Sequence, residues 1–249
     1  MADFFEHRRN RNTQPGSRRN IAHHYDLGSD FCHLLLDRSL TYSCAYYESA
    51  GDTLEQAQIR KFDRICRKLQ LGSRDHVLEI GTGWGGFAAY AAEIYGCRVV
   101  TTTISQQQHD YAREVFSRSR AKECLQLLFE DYRNLRGQYD KIVSIEMYEA
   151  VGYEHYDDYL GACDRLLKAG GSMLLQTITI REAKFQQYRK QSDWIKMHIF
   201  PGAELASVME IQRSLARATH MQLFHLEDIG KYYALTLNEW RRRLLETPR

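Results

Sequence analysis

The residues of this chain that could do chemistry stand where apolar runs end. Val77-Leu78-Glu79-Ile80 leads straight into Gly81-Thr82-Gly83-Trp84-Gly85-Gly86, and Phe87-Ala88-Ala89-Tyr90-Ala91-Ala92 resumes with good helix formers. The reading is strand, tight turn, helix. Glycines let such a turn take positive φ and approach a ligand closely, while the helix amino end offers unpaired N–H groups and a partial positive charge. A dinucleotide would want an acidic residue about twenty positions on, at the end of the next strand. That strand, Cys97 to Ile104, ends in Ser105-Gln106-Gln107-Gln108 instead. The spacing of Glu79, Gly81, Gly83 and Gly85 suits the smaller S-adenosylmethionine, whose carboxylate and ammonium would lie against the turn.

Two later strand ends carry carboxylates. Leu125–Phe129 ends in Glu130-Asp131, and Lys141–Ile145 ends in Glu146-Met147-Tyr148-Glu149. Open α/β sheets bind ligands in the crevice outside these carboxyl ends, so the placement points to function. Ser105 and Gln108 also read as a capping box, which gives Gln108 a structural role beside any part in holding a cofactor. Tyr42, Tyr46 and Tyr47, in the uncharged run from Leu40, either pack a core or line a pocket. The six cysteines, at 32, 44, 66, 97, 124 and 163, show no metal-ligand spacing and read as reduced, mostly buried thiols.

The elements that must position these residues follow from periodicity. Residues 1–20, polar and broken by Pro15-Gly16-Ser17, read as a mobile basic arm. Residues 21–75 read as a helical cap: a short helix through Phe31 to Leu36, then a capped helix opened by Thr53 and Gln56 with Leu54, Ile59, Phe62, Ile65, Cys66 and Leu69 along one face. Strands are expected at Val77–Ile80, Cys97–Ile104, Leu125–Phe129, Lys141–Ile145, Met173–Ile180 and Leu223–Glu227. Between the fourth and fifth, Tyr156, Tyr159, Leu160, Cys163, Leu166 and Leu167 mark a helix closed by Gly170-Gly171. Continuous apolar strands separated by amphipathic helices mean a parallel sheet covered on both faces. The helical stretch from Arg181, within an insertion spanning 181–220, is the natural lid, and a last helix starts near Leu235.

At 249 residues with 43% hydrophobic composition, the chain is ordinary globular protein with enough length for a full core. No run is long enough to span a membrane, and no secretory signal is visible, so a soluble cytoplasmic protein is expected. The net charge of +2 gives no nucleic-acid signal. The basic residues are nevertheless clustered, at Arg8, Arg9, Arg11, Arg18 and Arg19 and at Arg241-Arg242-Arg243. Such clusters either meet anionic phospholipid headgroups, peripherally on the inner face of a membrane, or are solvated tails.

Asn20-Ile21-Ala22-His23-His24-Tyr25-Asp26-Leu27-Gly28, Leu40–Ala45, Glu79–Gly86, Ser144–Gly152, Ile199-Phe200-Pro201-Gly202 and Tyr233–Leu237, taken in register, closely resemble the cyclopropane-fatty-acyl-phospholipid synthase family, which includes the mycolic acid cyclopropane synthases. The resemblance runs from about residue 17 to the carboxyl end. It implies a Rossmann-like class I methyltransferase three-layer sandwich and a reaction in which the sulfonium methyl of S-adenosylmethionine goes to a cis double bond of an unsaturated phospholipid acyl chain. It also implies a bicarbonate ion that takes a proton so that the ring closes, held around Cys44, Glu149, Gln176, Ile178 and Tyr233. The cofactor is expected on Gly81, Gly83 and Gly85, with Tyr42, Ser43, Glu79, Thr103, Gln108 and Asp131 around it. No metal is expected. An alkene is a poor nucleophile, so such a site must align the methyl donor and exclude water. Burial should raise the Glu149 pKa, since two anions cannot share a hydrogen bond without a proton.

Two departures bear on these expectations. Many members carry histidine where this chain has Gln176, which can donate a hydrogen bond but cannot carry a proton. Members also usually continue through a helix and a last antiparallel strand, so that strand is expected to be missing here, in a truncated product, a fragment, or a chain that completes itself as a homodimer. A methyl-branched product, methylation of an amine, or an inactive copy remain as alternatives.

Overall fold

The computed structural model describes residues 11–25, 28–49, 51–191 and 194–246. Its apolar runs pair as five parallel strands, β1 (His76–Ile80), β2 (Arg98–Thr103), β3 (Leu125–Phe129), β4 (Tyr139–Ile145) and β5 (Leu167–Gln176), in the order β3-β2-β1-β4-β5. Successive side chains alternate faces. Leu78 is therefore level with Val100 and Ile142 on one face, in a core with Tyr148, Tyr156, Tyr159 and Leu166. Val77, Val99 and Val143 supply the other face, packed against Phe62, Ile65 and Phe87.

Ten helices cover the sheet among the described residues: α1 (Gln14–Tyr25), α2 (Gly28–Leu35), α3 (Leu54–Lys68), α4 (Gly86–Tyr95), α5 (Gln106–Arg118), α6 (Tyr156–Leu166), α7 (Glu182–Lys190), α8 (Trp194–His198), α9 (Val208–Ala218) and α10 (Gly230–Glu246). At α3 the capping box closes in both directions between Thr53 and Gln56. A third core of Leu36, Leu40, Tyr47, Leu54, Trp84 and Trp240 joins the amino-terminal cap, the glycine turn and α10. The three-layer Rossmann-like architecture is the one expected. Strand order reverses between β1 and β4, so the crevice opens where the glycine turn and Glu146 leave the sheet.

Four expectations need correction. Residues 14–25 form a helix rather than a mobile arm. Pro15 sits in its first turn, where a missing N–H costs nothing. Asn12 just before it donates to the Gly202 carbonyl at 2.7 Å. Arg8 and Arg9 of the basic cluster, Asp26 and Leu27 of the matched block, and Pro248-Arg249 lie outside the described residues. Leu223–Glu227 is not a strand: Phe224 is 83% exposed, and Glu227 turns instead to Arg64, at 2.6 Å, and Lys68 on α3. Apolar alternation cannot supply the paired backbone that a strand requires, and here two ion pairs hold the segment elsewhere. The strand β5 begins at Leu167, with Gly170 and Gly171 inside it at a register shift rather than closing α6. It also ends at Gln176, so Ile178 lies beyond the sheet. Finally, α10 begins at Gly230, which places Tyr233 in its first turn.

Candidate active site

The carboxyl ends of the strands open into a cavity of about 530 Å³, large enough for a cofactor-sized molecule. Gly81, at φ +101°, and Gly83, at φ +52°, line it. The turn is tied down by the N–H groups of Gly81 and Thr82, which both donate to the Thr102 carbonyl at 3.1 and 3.0 Å. Gly85 does not belong to this wall. A Cβ there would meet Phe116 at 2.9 Å, so its glycine serves the packing of the turn on α5.

Around the turn, Thr101 donates to the buried Glu79 carboxylate at 2.6 Å, and burial pushes that group up to about 8. Ser105 caps α5 through the Gln108 N–H, but the Gln108 side chain does not return the capping-box bond. Its carbonyl accepts from the Thr103 hydroxyl at 2.8 Å, and both residues line the cavity. Asp131 lines it too, its carboxylate gripped by the Arg133 guanidinium at 2.7 and 2.9 Å. Tyr42 and Ser43 close this end from the cap. Tyr42 stacks on Trp240, with centroids 5.0 Å apart, and on Phe200 at 6.3 Å. The insertion after β5 contributes Tyr188, Ile195, Phe200 and Leu205 as a cover. Amide, hydroxyl and carboxylate groups at one end and mostly aromatic or aliphatic walls elsewhere suit a polar cofactor beside an apolar substrate.

The other end is built on two buried carboxylates. Glu146 leaves β4 at φ +47°, a left-handed conformation that costs a side-chain-bearing residue about 1 kcal/mol. Its N–H is held by the Gln176 carbonyl at 2.7 Å. Its Oε1 accepts from the Cys44 N–H at 2.8 Å and Gln176 Nε2 at 2.9 Å, and its Oε2 accepts from the Tyr233 hydroxyl at 3.2 Å. Glu149, in a single turn of 3-10 helix, accepts at Oε1 from the Ile178 N–H at 2.5 Å and the Thr177 hydroxyl at 2.9 Å. Its Oε2 is buried without a hydrogen-bond partner among the described residues. Burial first, and the charge of Glu146 second, push Glu149 up to about 7. Burial also raises Glu146, against the pull of Lys61 and its three donors.

Each expected catalytic residue is therefore at this end, in two ranks. Glu149, Ile178 and Tyr233 line the cavity, whereas Cys44 and Gln176 stand behind Glu146. Burial pushes the Cys44 thiol up to about 12, so it contributes its main-chain N–H rather than a thiolate. The expected bicarbonate does not fit these residues. The Cys44, Gln176 and Tyr233 donors are already given to Glu146, and the Ile178 N–H to Glu149. A further anion would meet two buried carboxylates with their donors already engaged.

Sequence reasoning placed Glu146 at a strand end but gave it no role. The signal was Gln176: Ile145 pairs with Gln176 across β4 and β5, so a donor that cannot carry a proton ends beside a carboxylate. It missed Lys61 altogether. Lys61 is fully buried on α3, donates to Ser43 Oγ at 2.6 Å and is lowered to about 8 by burial. A lysine interrupting the apolar face between Ala57 and Ile65 was the visible sign.

The model of the mycolic acid cyclopropane synthetase family matches residues 12–248. The chain is 36% identical over 237 residues to tuberculostearic acid methyltransferase UfaA1 of Mycobacterium tuberculosis, covering 92% of this chain and 55% of that protein. It is 41% identical over 222 residues to cyclopropane-fatty-acyl-phospholipid synthase of Escherichia coli K12, covering 89% and 55%. It thus spans about half the length of these relatives. Among solved structures, mycolic acid cyclopropane synthase CmaA1 complexed with SAH and CTAB superposes with a TM-score of 0.85 at 34% identity, over 92% of this chain and 83% of that one. With the matched region spanning the cap, the glycine turn, both carboxylates and α10, this chain belongs to the mycolic acid cyclopropane synthetase family.

Proposed function

We propose that this protein transfers a one-carbon unit from S-adenosylmethionine to a cis double bond of an unsaturated phospholipid acyl chain, forming a cyclopropane ring. The observation that carries the reading is one cavity with a glycine-turn cradle at one end, two buried carboxylates at the other and aromatic walls between. When bound, the cofactor supplies an electrophilic methyl group. Gly81, Gly83, Thr103 and Gln108 would hold and orient it. Aromatic faces such as Tyr42, Tyr233 and Trp240 stabilise developing positive charge without attacking it, and the cover from α7 and α8 keeps out water that would trap a cation. The relatives' names, and the solved relative holding SAH and CTAB, support a cofactor beside a long-chain substrate. The clustered arginines suit a peripheral site at an anionic membrane surface.

Purified protein, given S-adenosylmethionine and vesicles of an unsaturated phospholipid, should add one methylene to the acyl chain by mass spectrometry. Cofactor binding without that gain would overturn the reading. A second product, a methyl-branched chain, is favoured by one finding: the relative at 36% identity is named for tuberculostearic acid. Nuclear magnetic resonance of the product separates ring from branch.

A further inference from the structure

We propose that the Glu146 carboxylate is the built-in proton acceptor of ring closure, occupying the cradle in which a bicarbonate ion was expected. The inference rests on the reaction proposed above. Three donors from distant parts of the chain converge on this carboxylate: the Cys44 N–H from the cap, Gln176 Nε2 from the end of β5 and the Tyr233 hydroxyl from α10. Such convergence is how a protein holds an anion, and here the anion is covalently part of the chain. Two donors are aimed at Oε1 and one at Oε2, so Oε2 keeps a lone pair for a proton, and Glu146 lines the cavity in front of Cys44 and Gln176. Burial raises the Glu146 carboxyl and so makes it a stronger base, while the Lys61 cation pulls the other way, toward the ionised form. Glutamine at 176 completes the arrangement, because its amide donates to the carboxylate whatever the pH and never competes for the proton.

The step balances without another reactant. The methyl carbon bonds to one alkene carbon as its bond to sulfur breaks, leaving the other alkene carbon cationic. A C–H bond of that methyl then gives its electron pair to the second carbon–carbon bond and its proton to Glu146 Oε2. The products are the ring, the demethylated thioether and a neutral carboxylic acid, which returns its proton to water after release.

Glu146→Gly and Glu146→Gln test this. Glycine suits the φ of +47° at this position, so the first variant opens the cradle with little risk to folding. In buffer stripped of carbon dioxide the wild type should keep its rate within about twofold, with no response to added bicarbonate. Both variants should lose about 100-fold or more of ring formation while S-adenosylmethionine affinity stays within about threefold. In Glu146→Gly, added bicarbonate or acetate should restore part of the rate, and 13C-bicarbonate should bind saturably, whereas the wild type binds none. A wild type that needs bicarbonate, or a Glu146→Gly variant that is fully active without an added anion, would overturn the proposal. Absence of any one-carbon transfer by the wild type would sink the reaction and, with it, Glu146 as acceptor. The bicarbonate-binding comparison then still decides the cradle: saturable binding to the wild type sinks that part, and binding to Glu146→Gly alone upholds it.

Discussion

The two ends of the cavity are held by different physics. The cofactor end is positive-φ glycines, the Thr103–Gln108 pair and two buried carboxylates that each have a partner, Glu79 at the Thr101 hydroxyl and Asp131 at the Arg133 guanidinium. The reacting end is two carboxylates in an apolar surround, facing a buried lysine. Partnered groups that lie apart cost the fold less, whereas buried like charges are held against desolvation and against each other. Changes at the second end should therefore move rate and pH response, and changes at the first should move binding and local backbone strain.

Beside the Glu146 variants, the largest expected effect is at Glu149, which is electrostatically linked to that carboxylate. In Glu149→Gln the amide oxygen can keep the Ile178 and Thr177 bonds while the charge is removed. Ring formation should fall by about 100-fold or more, with S-adenosylmethionine affinity by calorimetry unchanged within about threefold. Parallel loss of cofactor binding would show that the two ends are not separable.

The same variant tests the stored cost. The Glu149 pKa stands at about 7 against an ordinary value of 4.5, so the folded state holds its proton more tightly than the unfolded state. Its favourable contribution is complete below pH 4.5 and is lost as pH rises through about 7. At about 1.4 kcal/mol per pH unit, the loss amounts to roughly 3 kcal/mol. Denaturant unfolding of the wild type and of Glu149→Gln should give a stability difference that grows in favour of the variant from pH 4.5 and levels off above 7. A flat difference would mean that Glu149 is ionised in the fold at no cost.

The contrast also explains which parts of the molecule sequence could convey. Strand, glycine turn and helix are local, so Gly81, Gly83 and the strand-end Asp131 were readable from neighbours a few residues away, whereas Thr103 came with the family resemblance. The reacting end is made by contacts across the chain: Cys44 reaches Glu146 over 102 residues and Tyr233 over 87. Family resemblance named the members of that end but not which oxygen each one touches. It therefore expected an ion among donors that bond to Glu146 in this fold. The strand expected at Leu223–Glu227 fails for a related reason. Its apolar pattern is local, but the Arg64 and Lys68 partners of Glu227 lie more than 150 residues back.

Smaller effects should distinguish the two glycines within the cofactor end. Gly81 takes φ +101°, outside the left-handed helical region open to other residues, and a Cβ there would press on Met147 at 3.1 Å. Gly83 takes φ +52°, within that region, and a Cβ would meet nothing within 4 Å. Gly81→Ala should therefore cost about 1 to 3 kcal/mol of stability by denaturant unfolding and disturb Met147 next to Glu146. Gly83→Asn should cost less than about 1 kcal/mol, because asparagine visits this backbone region readily. Whatever it does to S-adenosylmethionine affinity would then come from its side chain projecting into the cradle. Equal stability losses at the two positions would mean that backbone strain does not separate them. A weakened cofactor affinity in stable Gly83→Asn, with the pH response of Glu149 unchanged, would separate the binding end of the cavity from the reacting end.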